Sequence, residues 1–194
     1  MTRFAECRID DAIVGQARQG DTAANETVYR TFSSAVYNLA LRLTRQRQVA
    51  DEILQETFIE VLTKLGTFRG EAPLGYWIRE ITVNKCLMHL RSGWHRKSRP
   101  LDSREPDVND GVETEFNPVH LDLERALGML SPLSRTVVWL HDVEGYTHQE
   151  IGKLMGKTNS FSKSQLARAH QHLRSLLEDS SECEQPCMQL SNNY

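Results

Sequence analysis

Two groups of residues in the first half of the chain have the side-chain types that hold nucleic acid. Phe68 and Arg69, followed by Tyr76 and Trp77, bring aromatic rings and a cation into one short stretch. Aromatic faces stack on unpaired bases while cations follow the backbone, which is how single strands are gripped. Farther on, Lys85, Arg91, His95, Arg96, Lys97 and Arg99 form a basic run suited to duplex phosphates. Between residues 51 and 56 the opposite chemistry appears: Asp51, Glu52 and Glu56, with Gln55 among them, make an acidic patch. Nucleic acid repels such a patch, so its natural partner is a basic protein surface. The second half offers Ser160, Ser162, Lys163, Ser164, Gln165 and Arg168 along one predicted helix, flanked by Lys157. Lys and Arg suit phosphates and guanine edges, and a glutamine amide pairs with adenine. Each group also has a plainer reading: Trp77 as core, the basic run as a solvated helix end, the acids as ordinary surface, and the last set as the polar face of a helical hairpin.

The elements that must position these groups are helices. Apolar residues recur at helical spacing almost throughout, without sustained period-two alternation, so the expected class is all-α. A short helix through Ile13, Val14 and Ala17 stops at Gly20, and Asp21 is placed to cap the next. That helix has Val28, Phe32, Ala35, Leu39 and Leu43 on one stripe. A third has Val49, Ile53, Leu54, Phe58, Val61, Leu62 and Leu65, ending at Gly66. Residues 67–73 break the pattern with glycine and proline. A fourth then runs from Leu74 to Arg91, with Trp77, Ile78, Ile81 and Met88 expected inside. Periodicity resumes at Leu123, Leu127 and Leu130, and Ser131-Pro132 has the order of a helix start. In Thr147-His148-Gln149-Glu150 the threonine and glutamate predict a capping box, and Gly156 predicts the end of a two-turn helix. A longer helix follows from near Ser160. Short helix, tight turn and longer helix is the helix-turn-helix pattern, whose second member enters the major groove.

Charge is distributed unevenly. The net charge is −3, yet residues 1–99 carry fifteen Lys/Arg against eleven Asp/Glu, and residues 125–177 carry seven against three. Residues 100–124 hold one arginine against eight acids. With its prolines and few large apolar residues, the stretch 98–121 reads as a flexible acidic linker between two small helical domains. No run approaches the ~18 apolar residues of a membrane span, and Met1–Arg8 lacks the features of a signal peptide. A cytoplasmic protein without membrane insertion is expected. Its four cysteines, Cys7, Cys86, Cys183 and Cys187, have no zinc spacing and are expected as free thiols, with no metal and no cofactor. His89, His95, His141, His148, His170 and His172 form no catalytic or metal pattern, so no catalytic residue is expected and the chain reads as a non-enzyme.

Four stretches in order resemble the extracytoplasmic-function sigma factors, and the resemblance covers Ile13 to Leu177. "IVGQARQGDTAANETVYRTFSSAVYNLALRLT" looks like the first two helices of the promoter-melting domain. "ADEILQETFIEVLTKLGTFRG" is similar to the polymerase-binding helix, including its Gln55-Glu56 pair. "YWIREITVNKCLMHLR" looks like the helix that meets the minus-ten element. "LSPLSRTVVWLHDVEGYTHQEIGKLMG" resembles the start of the domain that reads the minus-thirty-five element.

The resemblance implies a region 2 domain over 1–97, the acidic linker over 98–121 and a region 4 helix-turn-helix over 122–178, while 179–194, with two cysteines and no nearby histidine, reads as a disordered tail. It implies core polymerase binding by Asp51, Glu52, Gln55 and Glu56. It implies minus-ten DNA contacts from Phe68, Arg69, Tyr76, Trp77, Asn84, Lys85, Arg91, Arg96 and Lys97. It implies minus-thirty-five contacts from Lys157, Ser160, Ser162, Lys163, Gln165 and Arg168. It implies a linker whose acids imitate nascent RNA against a basic channel. The partners implied are core RNA polymerase, promoter DNA, and an anti-sigma protein or a Ser/Thr kinase. For a kinase, Thr44, Thr57 and Thr63 flank the docking helix, where a phosphate adds negative charge.

The chain departs from the family pattern in two places. Glu80 and Val83 replace usual basic or aromatic positions in the minus-ten helix, and Gln165 stands where an arginine is common, shifting the preference from guanine toward adenine. The competing reading is a helix-turn-helix regulator whose N-terminal helices dimerise or sense a ligand. It accounts for residues 125–177 equally well but leaves the acidic patch and strap without a use.

Overall fold

A computed structural model describes the backbone of residues 4–97 and 118–182 and the side chains of 4–92 and 123–177. Every regular element among them is helical, in agreement with the all-α reading. The chain divides into two compact units, Met1–Gly111 and Val112–Tyr194.

In the first unit, a 3-10 turn at Phe4–Glu6 precedes α1 (Asp11–Arg18), α2 (Thr22–Thr44), α3 (Arg47–Lys64), a 3-10 turn at Leu65–Thr67, and α4 (Leu74–Lys97). The starts of α1 and α2 are capped by aspartates. Asp10 accepts from the Ala12 amide at 2.8 Å and Asp21 from the Ala24 amide at 2.7 Å, satisfying donors that the first turn leaves open. The turn between α2 and α3 uses no glycine: Arg45 takes the left-handed conformation (φ 57°), and its amide donates to Leu41. Thr44 contributes by donating its hydroxyl to Ala40 at 2.8 Å.

α2 is the centre of this unit. Val28, Phe32, Val36, Leu39 and Leu43 are all buried, and α3 and α4 pack against α2 and against each other. Each such side chain contributes about 1.5–3 kcal/mol by leaving water. The inward stripes of α3 and α4 are Ala50, Ile53, Thr57, Phe58, Val61 on one and Leu74, Ile78, Thr82, Val83, Cys86, Leu87, Leu90 on the other. Of the residues expected inside α3 and α4, Leu54 is half-buried and two are exposed. Leu62 and Met88 each follow an inward position by one residue, about 100° around the helix, and both are exposed. Trp77 and Ile81 are half-buried. Val83 is fully buried, so its position on α4 is taken by packing. Burial pushes the Cys86 thiol up to about 12, keeping it protonated and inert; Cys7 is raised too, by partial burial and then by Glu6.

The three threonines proposed for phosphorylation separate on burial. Thr44 and Thr57 lie inside the unit and a kinase cannot reach them, which corrects that expectation; Thr63 is exposed and donates to Ile59 at 2.6 Å.

In the second unit, α5 (Pro118–Met129) begins inside the stretch read as linker, with proline at its first position. α6 (Pro132–Val138) starts at Ser131, whose hydroxyl accepts from the Ser134 amide at 3.1 Å, and runs into a π-helical segment, Trp139–Val143. α7 (His148–Met155) and α8 (Asn159–Glu182) complete the unit. Leu127, Leu130, Val137, Leu140, Ile151, Met155, Leu166, Ala169 and Leu173 are among its buried apolar residues. Residues 98–117 and the tail with Cys183 and Cys187 lie outside the described residues.

Thr57 has no exposed surface, and its hydroxyl has no hydrogen-bond partner among the described residues. An unsatisfied buried hydroxyl is a cost that an apolar isostere removes. Thr57→Val is therefore expected to stabilise the first unit by about 1 kcal/mol, read as a rise in denaturant midpoint with unchanged slope.

Candidate nucleic-acid and protein-docking interfaces

α3 presents Asp51, Glu52, Gln55 and Glu56 to solvent, because burial of Ile53, Phe58 and Val61 turns the opposite side outward. The same outward face continues one turn on with Ile59 (68 % exposed) and Leu62 (43 %). Sequence reading had placed Leu62 inside and left Ile59 unassigned. The acids thus border an exposed apolar strip, at the i, i+3 and i+4 spacings that bring helix side chains together.

Lys85 belongs to this acidic face. Its Nζ on α4 lies 3.0 Å from Glu60 and 3.6 Å from Glu56 on α3, and its side chain is 17 % exposed. Glu60 also accepts from Lys64 at 2.7 Å, and these two lysines, Lys64 first, hold its carboxyl below the usual range. Lys85 is therefore withdrawn from the expected DNA contacts by ion pairing across the α3–α4 seam.

The aromatic edge is also rearranged. Phe68 is buried, its ring 5.2 Å from that of Trp77, so it supports Trp77 and presents no open face for a base. Tyr76 is 52 % exposed, with the Arg79 guanidinium 4.7 Å from its ring centroid. Arg69, Asn84 and Arg91 are exposed, with Arg69 3.6 Å from Glu71. His95, Arg96 and Lys97 stand on the last turns of α4, but their side chains lie outside the described residues.

In the second unit, the capping box at the start of α7 is formed. Glu150 accepts from the Thr147 amide at 2.8 Å, and Thr147 Oγ1 accepts from the Glu150 amide at 3.2 Å. Gly156 ends the helix in the left-handed conformation (φ 65°). Thr158 then caps α8, its hydroxyl accepting from the Phe161 amide at 3.1 Å. The turn is close: a Cβ at Gly152 would stand 2.9 Å from the carbonyl oxygen of Lys157 and 3.1 Å from the carbonyl carbon of Thr158. The Lys157 amide donates to Gly152 O at 2.8 Å. Lys157, Asn159, Ser160, Lys163 and Arg168 are exposed around the start of α8. Ser162 is not: it is fully buried, and its hydroxyl lies 3.1 Å from His148 Nδ1. Gln165 is half-buried, with Oε1 3.4 Å from the Ser134 hydroxyl on α6. Both depart from the expected base-reading set, because the buried face of α8, set by Leu166 and Ala169, runs close to them.

Against this geometry, the sigma-70 region 2 model matches residues 28–96 and the sigma-70 region 4 model matches residues 120–173. The chain belongs to the extracytoplasmic-function sigma factors. It is 28 % identical to the sigma factor SigM of Mycobacterium tuberculosis H37Rv over 88 % of this chain and 85 % of that protein. It is 34 % identical to SigE of Mycolicibacterium smegmatis over 81 % of this chain and 64 % of that protein. Among solved structures it resembles the sigma factor RpoE bound to the anti-sigma factor NepR from Bartonella quintana, with a TM-score of 0.56 at 20 % identity over 79 % of this chain and 96 % of that one. It also resembles CnrH bound to the cytosolic domain of CnrY, with a TM-score of 0.55 at 21 % identity over 88 % and 97 %.

As a sigma factor the protein acts in transcription initiation. Its region 2 spans the unit with the acid-and-apolar face of α3 and the aromatic edge at the α4 start, and its region 4 spans the helix-turn-helix. Sequence reading missed Gly152, whose position inside a helix carries no turn signal of its own. Gly152→Ala is expected to destabilise region 4 by about 2 kcal/mol despite alanine's better helix propensity, because backbone must move to admit the methyl group. Differential hydrogen exchange of the α7–α8 amides checks this, with region 2 amides as the internal standard.

Proposed function

We propose that this sigma factor docks on core RNA polymerase through the outward face of α3 and reads promoter DNA with α4 and α8. The observation that carries the docking assignment is the union of Asp51, Glu52, Gln55 and Glu56 with the exposed Ile59 and Leu62 on one helix face. Acids alone suit any solvated surface, but a large exposed apolar pair beside them suits a protein partner that is basic and partly apolar. Lys85 sets the edge of this face by pairing with Glu56 and Glu60, so the acids at 51 and 52 carry most of the uncompensated charge.

For the minus-ten element, Arg69, Tyr76, Asn84 and Arg91 are the exposed residues of the expected set, with Trp77 half-buried on Phe68 behind them. For the minus-thirty-five element, Lys157, Ser160, Lys163 and Arg168 surround the N-terminus of α8, where open amides and the helix dipole favour a phosphate. The protein works by binding rather than by catalysing a reaction, in the cytoplasm where its polymerase works. No helix among the described residues is long and apolar enough to cross a membrane. The same α3 face suits an anti-sigma protein that competes for it.

Replacing Asp51 and Glu52 by Lys and Glu56 by Gln is expected to weaken core polymerase binding at least tenfold, about 1.4 kcal/mol, and Ile59→Ser with Leu62→Ser to do the same. Affinity is measured by fluorescence anisotropy with core enzyme, with circular dichroism confirming the fold. Unchanged affinity in both variants would remove the docking assignment. Run-off transcription from a promoter library separates this reading from a regulator that binds duplex DNA without polymerase.

A further inference from the structure

Tertiary packing assembles three histidines that are scattered in the sequence. Asp142, on the π-helical segment, receives two of them: His141 Nδ1 is 2.8 Å from Oδ1 and His170 Nε2 on α8 is 2.6 Å from Oδ2. An ionised carboxylate only accepts, so both rings donate to it. Burial raises the Asp142 carboxyl, but these two hydrogen bonds together with the electrostatic pull of both rings hold it below its ordinary value. The His141 ring stacks on His148 of α7, with centroids 4.4 Å apart and planes 18° apart. His148 Nδ1 in turn meets the buried Ser162 hydroxyl at 3.1 Å, in the first turn of α8. One connected chain thus runs from the middle of α8 through the π-helical segment and α7 back to the start of α8. A π-helical segment widens the helix at this point, a feature frequent at functional sites.

We propose that this His170–Asp142–His141–His148–Ser162 chain positions the recognition helix and makes its first turn sensitive to pH. The inference rests on the reading of α8 as the duplex reader for its biological use, but not for its physical test.

The groups facing His148 determine the direction. From the π-helical segment come His141 and Asp142; from α8 come Lys163 and the Ser162 hydroxyl. Asp142 turns its two oxygens to His141 and His170, so its hold on His148 is through charge alone. Lys163 is a like charge, and the N-terminal turn of α8 carries the positive end of the helix dipole. A proton on His148 is therefore disfavoured in place. Desolvation first, then His141 and Lys163, lower its affinity for a proton, against an opposing pull from Asp142. A histidine whose folded value is lowered stabilises its arrangement above the unfolded value, and that stabilisation is lost as pH falls below about 6.5. Relief comes from moving the protonated ring away, which leaves the buried Ser162 hydroxyl without its partner and loosens the first turn of α8.

The test uses the full chain, with hydrogen–deuterium exchange of amides 160–166 measured at pH 7.5 and 5.5 and corrected for intrinsic exchange. Wild-type protein is expected to lose protection there at least fivefold more than at α2, which serves as reference. His148→Gln keeps a hydrogen-bonding amide for Ser162 but cannot titrate, and its α8 protection is expected to be independent of pH. Asp142→Asn keeps the shape but weakens the hold on His141 and His170, and is expected to lower protection at both pH values. The same pH loss in His148→Gln as in wild type, or no loss in wild type, overturns the proposal. Because no DNA or polymerase enters the measurement, its failure is distinct from failure of promoter reading, which run-off transcription reports.

Discussion

The stripe of α2 formed by Val28, Phe32, Val36, Leu39 and Leu43 is the interaction on which the first unit depends, none of these side chains being more than 2 % exposed. α3 and α4 both lie on it, so each must turn one apolar face toward it and the opposite face toward solvent. That single demand places the acids of α3 outward together with Ile59 and Leu62, and it brings Lys85 of α4 across the seam to Glu56 and Glu60. The docking face proposed for this unit is thus the reverse side of its core. The aromatic edge obeys the same logic, since Phe68 is consumed in supporting Trp77 and leaves Tyr76 as the open ring.

The second unit is governed by close approach of backbone to backbone. Gly152 admits the Lys157–Thr158 turn, Gly156 supplies the left-handed end of α7, and Thr158 restarts the chain as α8. Once α7 and α8 are held that near, His148 reaches the buried Ser162, and the π-helical segment delivers His141 and Asp142 to the same place. Polar groups in this cluster are mutually satisfied, which makes the arrangement specific and also makes it responsive to protonation. The two units therefore carry different kinds of control surface, a fixed charge pattern on α3 and a titratable chain behind α8.

Much of this was legible in the amino-acid order. Helical periodicity, the caps at Asp21 and Ser131, the Thr147/Glu150 box and the stop at Gly156 are local, depending on residues within a few positions of one another, and each is present in the structure. The acidic patch was legible for the same reason, because helix phase alone puts Asp51, Glu52, Gln55 and Glu56 together.

What tertiary structure decided is which side chains remain available. Lys85 looked like a phosphate ligand until α3 supplied its carboxylates, and Ser162 and Gln165 looked like base readers until α7 and α6 supplied His148 and Ser134. Thr44 and Thr57 looked like modification sites until their helix faces were buried. His141, His148 and His170 had no relation at all along the chain, and their cluster exists because three elements meet. Local order sets the type and phase of each helix, since those follow from hydrogen bonds and periodicity within one segment. Availability is a property of pairs of segments, and a partner distant in the chain leaves no mark in the local pattern.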